Sequence, residues 1–90
     1  MIKTLESHRK RIGGKWKPLI MFILYKRPQR FNKIKQLAEG ISGRMLTQCL
    51  KELECDGLIE KKENSHVRYI LTPVGCKIVE LFIKIGSYLP

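Results

Sequence analysis

Ninety residues leave room for one hydrophobic core, and an apolar fraction of 43% suits a folded domain and argues against disorder. The formal net charge of +10 is one-sided: residues 1–38 hold eleven Lys or Arg against the single acid Glu6, while residues 39–90 hold seven of each sign. Solubility alone requires no such asymmetry, so the balance points to a polyanionic partner, nucleic acid before an anionic membrane surface.

In chain order, residues 1–12 (MIKTLESHRKRI) read as a basic lead-in, punctuated by Gly13-Gly14. A helix is expected from Lys15 to Lys26. Trp16, Leu19, Ile20, Ile23 and Leu24 recur at the helical period, and Pro18 is tolerated in the first turn. Met21, Phe22 and Tyr25 make this helix apolar nearly all round, so it is either central or covered by a second chain. Pro28 ends it, and Arg30-Phe31 reads as a short extended segment. Asn32 is expected to cap a second helix, Lys33 to Glu39, with Ile34, Leu37 and Ala38 facing in. Gly40 suits the position just past that helix, and Ser42 suits the N-cap of the next. Two helices joined by Gly40-Ile41-Ser42 make a helix-turn-helix over residues 32–55.

The third helix is the most informative stretch. Leu46, Cys49, Leu50 and Leu53 form an apolar stripe, and Arg44, Thr47, Gln48 and Lys51 fall on the opposite side. The outer stripe is all hydrogen-bonding groups with no acid; Glu52, Glu54 and Asp56 lie in the last turn. Its N-terminal end also carries the positive pole of the helix dipole, so the face suits a polyanion. An ordinary amphipathic helix with a solvated polar face accounts for the same pattern. Asp56-Gly57 closes the helix. Leu58–Lys62 and Val67–Leu71 are then expected to pair as a two-stranded wing over residues 58–71, with Val67, Tyr69 and Leu71 inward and Arg68 outward. Thr72-Pro73 opens a last helix, residues 73–88. Val74, Ile78, Leu81, Phe82 and Ile85 form its stripe, and Val79 and Ile83 extend the apolar surface. That is more than one small domain needs, so the excess reads as a dimer contact. A chain of this size buries only roughly 60% of its unfolded surface, and a partner copy would help it.

The longest apolar run, Leu19 to Tyr25, falls far short of a bilayer span, and no apolar segment with a cleavage site follows the N-terminal charges. The expectation is a cytoplasmic protein with no membrane partner. Cys49, Cys55 and Cys76 show no metal-ligand spacing, so no metal and no cofactor are expected, and Cys49 reads as a small core residue. His8 and His66 read as solvated loop residues. No nucleophile with a base and no phosphate loop is present, so the chain does not read as an enzyme.

Three linked strings carry a family resemblance: IGGKWKPLIMFIL, RFNKIKQLAEGISGRMLTQCLKELECDGLIEKK and RYILTPVG. Together, over about residues 12–76, they resemble the HxlR family of winged helix-turn-helix transcription regulators. The resemblance implies an α+β, mostly α fold in one domain spanning residues 1–90, with a two-stranded wing and a C-terminal dimerisation helix. It implies a homodimer on an inverted-repeat operator, a recognition helix in the major groove, and a wing tip near Asn64–Arg68 against the flanking DNA. Several members sense oxidants through a cysteine ahead of the IGGKW string. This sequence has Leu5, Ser7 and His8 there, so that mechanism is not carried over. The wing loop is also short.

The expected work is therefore sequence-specific binding of double-stranded DNA by a transcription regulator. Base readout is assigned to Arg44 and Gln48 first, then Thr47 and Met45 for a thymine methyl. Backbone contacts are assigned to Lys15, Lys17, Arg30, Lys33, Lys35, Ser42, Lys51, His66 and Arg68, with Lys15 and Lys17 alternatively flanking a dimer interface. Dimer contacts are assigned to Leu5, Phe22, Val79, Phe82 and Ile83. The alternative is an architectural or protein-docking winged helix that binds DNA non-specifically. An unknown effector is left open: a cavity among Trp16, Phe22 and Phe82 is one place for it, although a filled core suits those residues better.

Overall fold

The computed structural model describes residues 15–86. Four helices and one hairpin follow in order: α1 (Trp16–Lys26), α2 (Phe31–Leu37), α3 (Gly43–Cys55), β1 (Ile59–Glu63), β2 (Val67–Leu71) and α4 (Pro73–Ile85). The lead-in at 1–12, with Leu5 and His8, lies outside the described residues, as does Tyr88.

α1 is the central helix. Ile20, Met21, Ile23 and Leu24 are all buried, which accounts for its apolar character around most of its circumference. Against them pack Ile34 and Ala38 of α2, Ile41 of the turn, the inner stripe of α3, Ile59 and Tyr69 of the hairpin, and Val79 of α4. No polar or charged residue is in the buried class among the described residues.

The second helix begins earlier than the sequence suggests. Its N-cap is Arg30, not Asn32, and it runs Phe31–Leu37. Gln29 forms an isolated bridge with Tyr69, donating to its carbonyl at 3.2 Å and accepting from its N–H at 2.8 Å. That bridge fixes the chain one residue ahead of Arg30, whose carbonyl accepts the first helical bonds from Lys33 and Ile34. Phe31, Ile34 and Ala38 then take the inner side. Leu37, expected inside, is 46% exposed, because it is turned about 100° from Ala38 on the helix.

Tertiary hydrogen bonds punctuate the rest. Gly57 (φ 74) and Leu58 close α3 by donating to Glu54 and Leu53, the paired Schellman pattern. β1 and β2 pair antiparallel from Ile59↔Leu71 to Glu63↔Val67. Only the end near the helices reaches the core. Tyr69 is buried, whereas Val67, also expected inward, is 42% exposed at the hairpin tip. Thr72 Oγ1 caps α4 by accepting from Gly75 N at 3.1 Å and itself donates to the Gly57 carbonyl at 2.7 Å. α4 stops at Ile85, short of the expected Tyr88, with Gly86 in the left-handed region.

Gly75 explains one residue of the sequence pattern in physical terms. The first turn of α4 lies directly on the start of β1, and a Cβ at Gly75 would collide with the Leu58 carbonyl oxygen and Leu71 Cδ2. Gly75→Ala is therefore expected to destabilise the fold by about 1–3 kcal/mol through overpacking against backbone that cannot give way. Urea unfolding reads this directly, and an unchanged midpoint would mean that α4 does not pack so closely.

Candidate nucleic-acid interface

The interface is built around α3. Leu46, Cys49, Leu50 and Leu53 are each at most 3% exposed, and burying each Leu contributes roughly 1.5–3 kcal/mol. That commitment fixes the rotation of the helix and turns Arg44, Thr47, Gln48 and Lys51 outward, all exposed. Ser42 caps the leading end: its Oγ accepts from Met45 N at 3.0 Å. Burial pushes the Cys49 thiol up from its ordinary value, in keeping with a core residue. Cys55 is exposed at the far end of the helix.

The outward side chains are partly arranged in advance. Thr47 Oγ1 donates to the Gly43 carbonyl at 2.9 Å, which uses its one donor. Gln48 Nε2 donates to Glu52 Oε2 at 2.7 Å. Lys17 of α1 meets the other oxygen, Glu52 Oε1, at 2.5 Å. Lys17 first and then Gln48 hold the Glu52 carboxyl below its usual range, against a smaller opposing effect of burial. With its folded value depressed, this cluster is intact above the ordinary glutamate range and is lost as pH falls through the folded value.

α2 and the wing flank this helix. An Arg30 Nη2 contact with His66 Nδ1 at 3.1 Å ties the start of α2 to the hairpin turn. A guanidinium only donates, so in this contact His66 Nδ1 is the acceptor. Lys33 lines a shallow depression with Gln29, Arg30, Asn32 and Gln36. Lys35 lies beside the start of α3, its Cε 3.7 Å from where a Gly43 Cβ would stand. Arg68 lines the wing tip with Lys62, Asn64, Ser65 and His66. The wing lysines pair along β1, Lys62 with Glu60 at 3.3 Å and Lys61 with Glu63 at 3.7 Å.

The sequence-assigned residues thus fall into three groups. Arg44, Thr47, Gln48 and Lys51 share one exposed helix face, and Arg30, Lys33, Lys35, His66 and Arg68 are exposed around it. Lys17 is not a free cation, being held by Glu52 with its side chain 26% exposed. Lys15 lies with its ammonium 4.7 Å from the Trp16 ring centre. Met45 is half-buried against the core, which removes much of it from an outer surface. Among the dimer assignments Val79 is misplaced. It is 1% exposed inside the subunit core, because the inner line of α4 runs through Gly75, Ile78 and Val79. Phe22 and Phe82 are half-buried and Ile83 is 43% exposed. The exposed apolar line is Val74, Leu81 and Ile85 at 57%, 57% and 63%. Sequence reasoning missed Asn32 and Gln36, which share the Lys33 depression, and Glu52, whose spacing of four from Gln48 was the available signal. Among the described residues no cluster of His, Cys, Asp or Glu could hold a metal ion, and no helix is long and apolar enough to cross a membrane.

Comparison with known proteins agrees with this architecture. The pattern that defines the HxlR-like helix-turn-helix family matches residues 11–89. The chain is 39% identical over 62 residues to the uncharacterized HTH-type transcriptional regulator YkvN of Bacillus subtilis, covering 69% of this chain and 52% of that protein. It is 37% identical over 81 residues to YybR of the same organism, covering 86% and 65%. The chain thus spans about half to two thirds of the length of these relatives. Among solved structures, the reduced form of the transcriptional regulator YodB from B. subtilis superposes with a TM-score of 0.76 at 31% identity, covering 97% of this chain and 89% of that one. A possible HxlR family transcriptional factor from Thermoplasma volcanium gives a TM-score of 0.77 at 28% identity, covering 89% and 76%.

The Ser42 cap is the simplest part of this surface to test. Ser42→Ala leaves one leading N–H of α3 without its partner and is expected to cost about 1 kcal/mol in denaturant unfolding. A cost near zero would show that the cap does not hold the helix end.

Proposed function

Because the chain belongs to the HxlR-like helix-turn-helix family of transcription regulators, we propose that it is a sequence-specific, double-stranded-DNA-binding regulator that acts as a homodimer on an inverted-repeat operator in the cytoplasm. The observation that carries this reading is the outward face of α3, where Arg44, Thr47, Gln48 and Lys51 stand together, with Glu52 neutralised by Lys17 and the exposed Glu54 confined to the last turn beside Thr47 and Lys51. In this reading α3 enters the major groove. Arg44 makes a two-pronged contact to guanine, Gln48 meets adenine, and the Thr47 methyl faces thymine because its hydroxyl proton is already committed. Lys33, Lys35, Lys51, Arg68 and the Arg30–His66 pair meet phosphates, which contribute affinity and register but no sequence information.

The partner copy covers the exposed line Val74, Leu81 and Ile85 on α4, with Ile83 at its margin. Such a line on a small domain is a surface that association would remove from water. The described residues form one winged helix-turn-helix domain, and its work is recognition without a reaction. Related structures include a quinone-bound YodB and the redox regulator HypR in its oxidized form. Residues 1–14 of this sequence contain no cysteine.

Selection from a random duplex library at near-physiological salt tests the reading. The expected pool carries two inverted half-sites separated by about one helical turn or a multiple. A bound pool without a consensus would instead favour the architectural, protein-docking winged helix. Arg44→Ala is expected to flatten preference at one base pair in each half-site, whereas Lys33→Ala should weaken all duplexes alike and lower the salt slope by about one. For the dimer, Leu81→Lys should shift the protein toward monomer in analytical ultracentrifugation. A variant that sediments like the parent would remove α4 from the interface.

A further inference from the structure

Glu52 is out of place on a helix offered to a polyanion. It lies one turn beyond Gln48, yet it does not face solvent freely. Its Oε1 is closed off from solvent without an aligned hydrogen bond, and the Lys17 ammonium stands 2.5 Å away, so charge holds it there. Its other oxygen accepts from Gln48 Nε2 at 2.7 Å. Lys17 belongs to α1, the central helix, and its side chain is only 26% exposed. The carboxylate is therefore fixed from the body of the domain and bears on the middle of the outward face.

The chemistry of the pair is directional. An ionised carboxylate only accepts hydrogen bonds, so Gln48 has to turn its NH2 group toward Glu52 and its carbonyl oxygen away. A free glutamine can rotate its amide by half a turn and offer its two ends in either order. Held by Glu52, Gln48 keeps one remaining N–H and its Oε1 in a single order. In the major groove adenine presents an acceptor, N7, beside a donor, the N6 amino group, whereas guanine presents two acceptors. A fixed Oε1 matches the adenine amino group and opposes guanine O6. Lys17 meanwhile neutralises the acid that would otherwise repel DNA.

We propose that Glu52, anchored by Lys17, is a positioning residue for readout: it fixes the Gln48 amide in one orientation and so restricts that operator step to adenine over guanine. The inference rests on the proposed DNA-binding function and adds to it a residue that acts through another.

The test uses the full chain, with the bound pool sequenced for the parent, Gln48→Ala, Glu52→Ala and Glu52→Gln. Gln48→Ala is expected to erase adenine preference at one step, roughly tenfold. Glu52→Ala should lose most of the same preference there and leave the Arg44-dependent step intact, while affinity for random duplex rises because an acid is gone. Glu52→Gln keeps the shape but donates as well as accepts, so it should also relax that step, and it carries the test if the alanine variant does not fold. Without DNA, the Gln48 side-chain NH2 resonances should be well separated in the parent and collapse toward free-amide values in both Glu52 variants. A merely structural role would move the melting temperature and not one base preference. Unchanged preference in folded Glu52 variants overturns the inference and leaves the DNA-binding reading standing. Unchanged preference in Gln48→Ala overturns it through Gln48 itself. A parent that selects no sequence overturns the functional reading and this inference with it.

Discussion

The burial of one side of α3 is the constraint on which the rest depends. Leu46, Cys49, Leu50 and Leu53 leave water together, and a helix so committed has no freedom to roll. Every outward residue is then set by helical geometry. Arg44 and Lys51 lie opposite the core, Thr47 turns toward the wing side, and Gln48 turns toward Lys17 of α1. A core residue such as Cys49 is in this sense part of the recognition surface without touching it.

The wing is held to that helix by hydrogen bonds at its base and not by a large apolar contact at its tip. Thr72 links the start of α4 to the end of α3, and Gln29 bridges to Tyr69 from the opposite side. These bonds satisfy backbone groups that would otherwise be orphaned where three elements meet. The tip beyond Tyr69 projects from the core, exposing Val67, and the Arg30–His66 contact is its link to α2. A projecting tip held at its root suits a surface that meets a partner outside the domain.

Charge is distributed to the same end. The acids of α3 lie in its C-terminal half: Glu52 beside Gln48 is neutralised from α1, and Glu54 is exposed in the last turn beside Thr47 and Lys51. Exposed pairs such as Lys62–Glu60 contribute little to stability, typically under about 1 kcal/mol, and lower the net charge of the wing. The basic excess is left to the N-terminal half of the sequence, including α2 beside the leading end of α3.

The sequence by itself determined what depends on neighbours a few residues apart. The inner and outer stripes of α3, the Ser42 and Thr72 caps, the glycine stop at Gly57 and the span of β2 were all legible, because helical period, capping and turn conformation are local. The outward face of Arg44, Thr47, Gln48 and Lys51 was legible for the same reason. Tertiary structure decided what depends on which surface happens to be adjacent. Leu37 and Val67 carry inward-looking patterns but stay exposed among the described residues, and Val79 enters the core because Gly75 lets α4 lie directly on Leu58. The start of α2 moved to Phe31 because a bridge to Tyr69, forty residues away, fixes Gln29. Lys17 became a partner of Glu52 instead of a free cation because two helices thirty-five residues apart pack side by side, and no periodicity within either one records that contact.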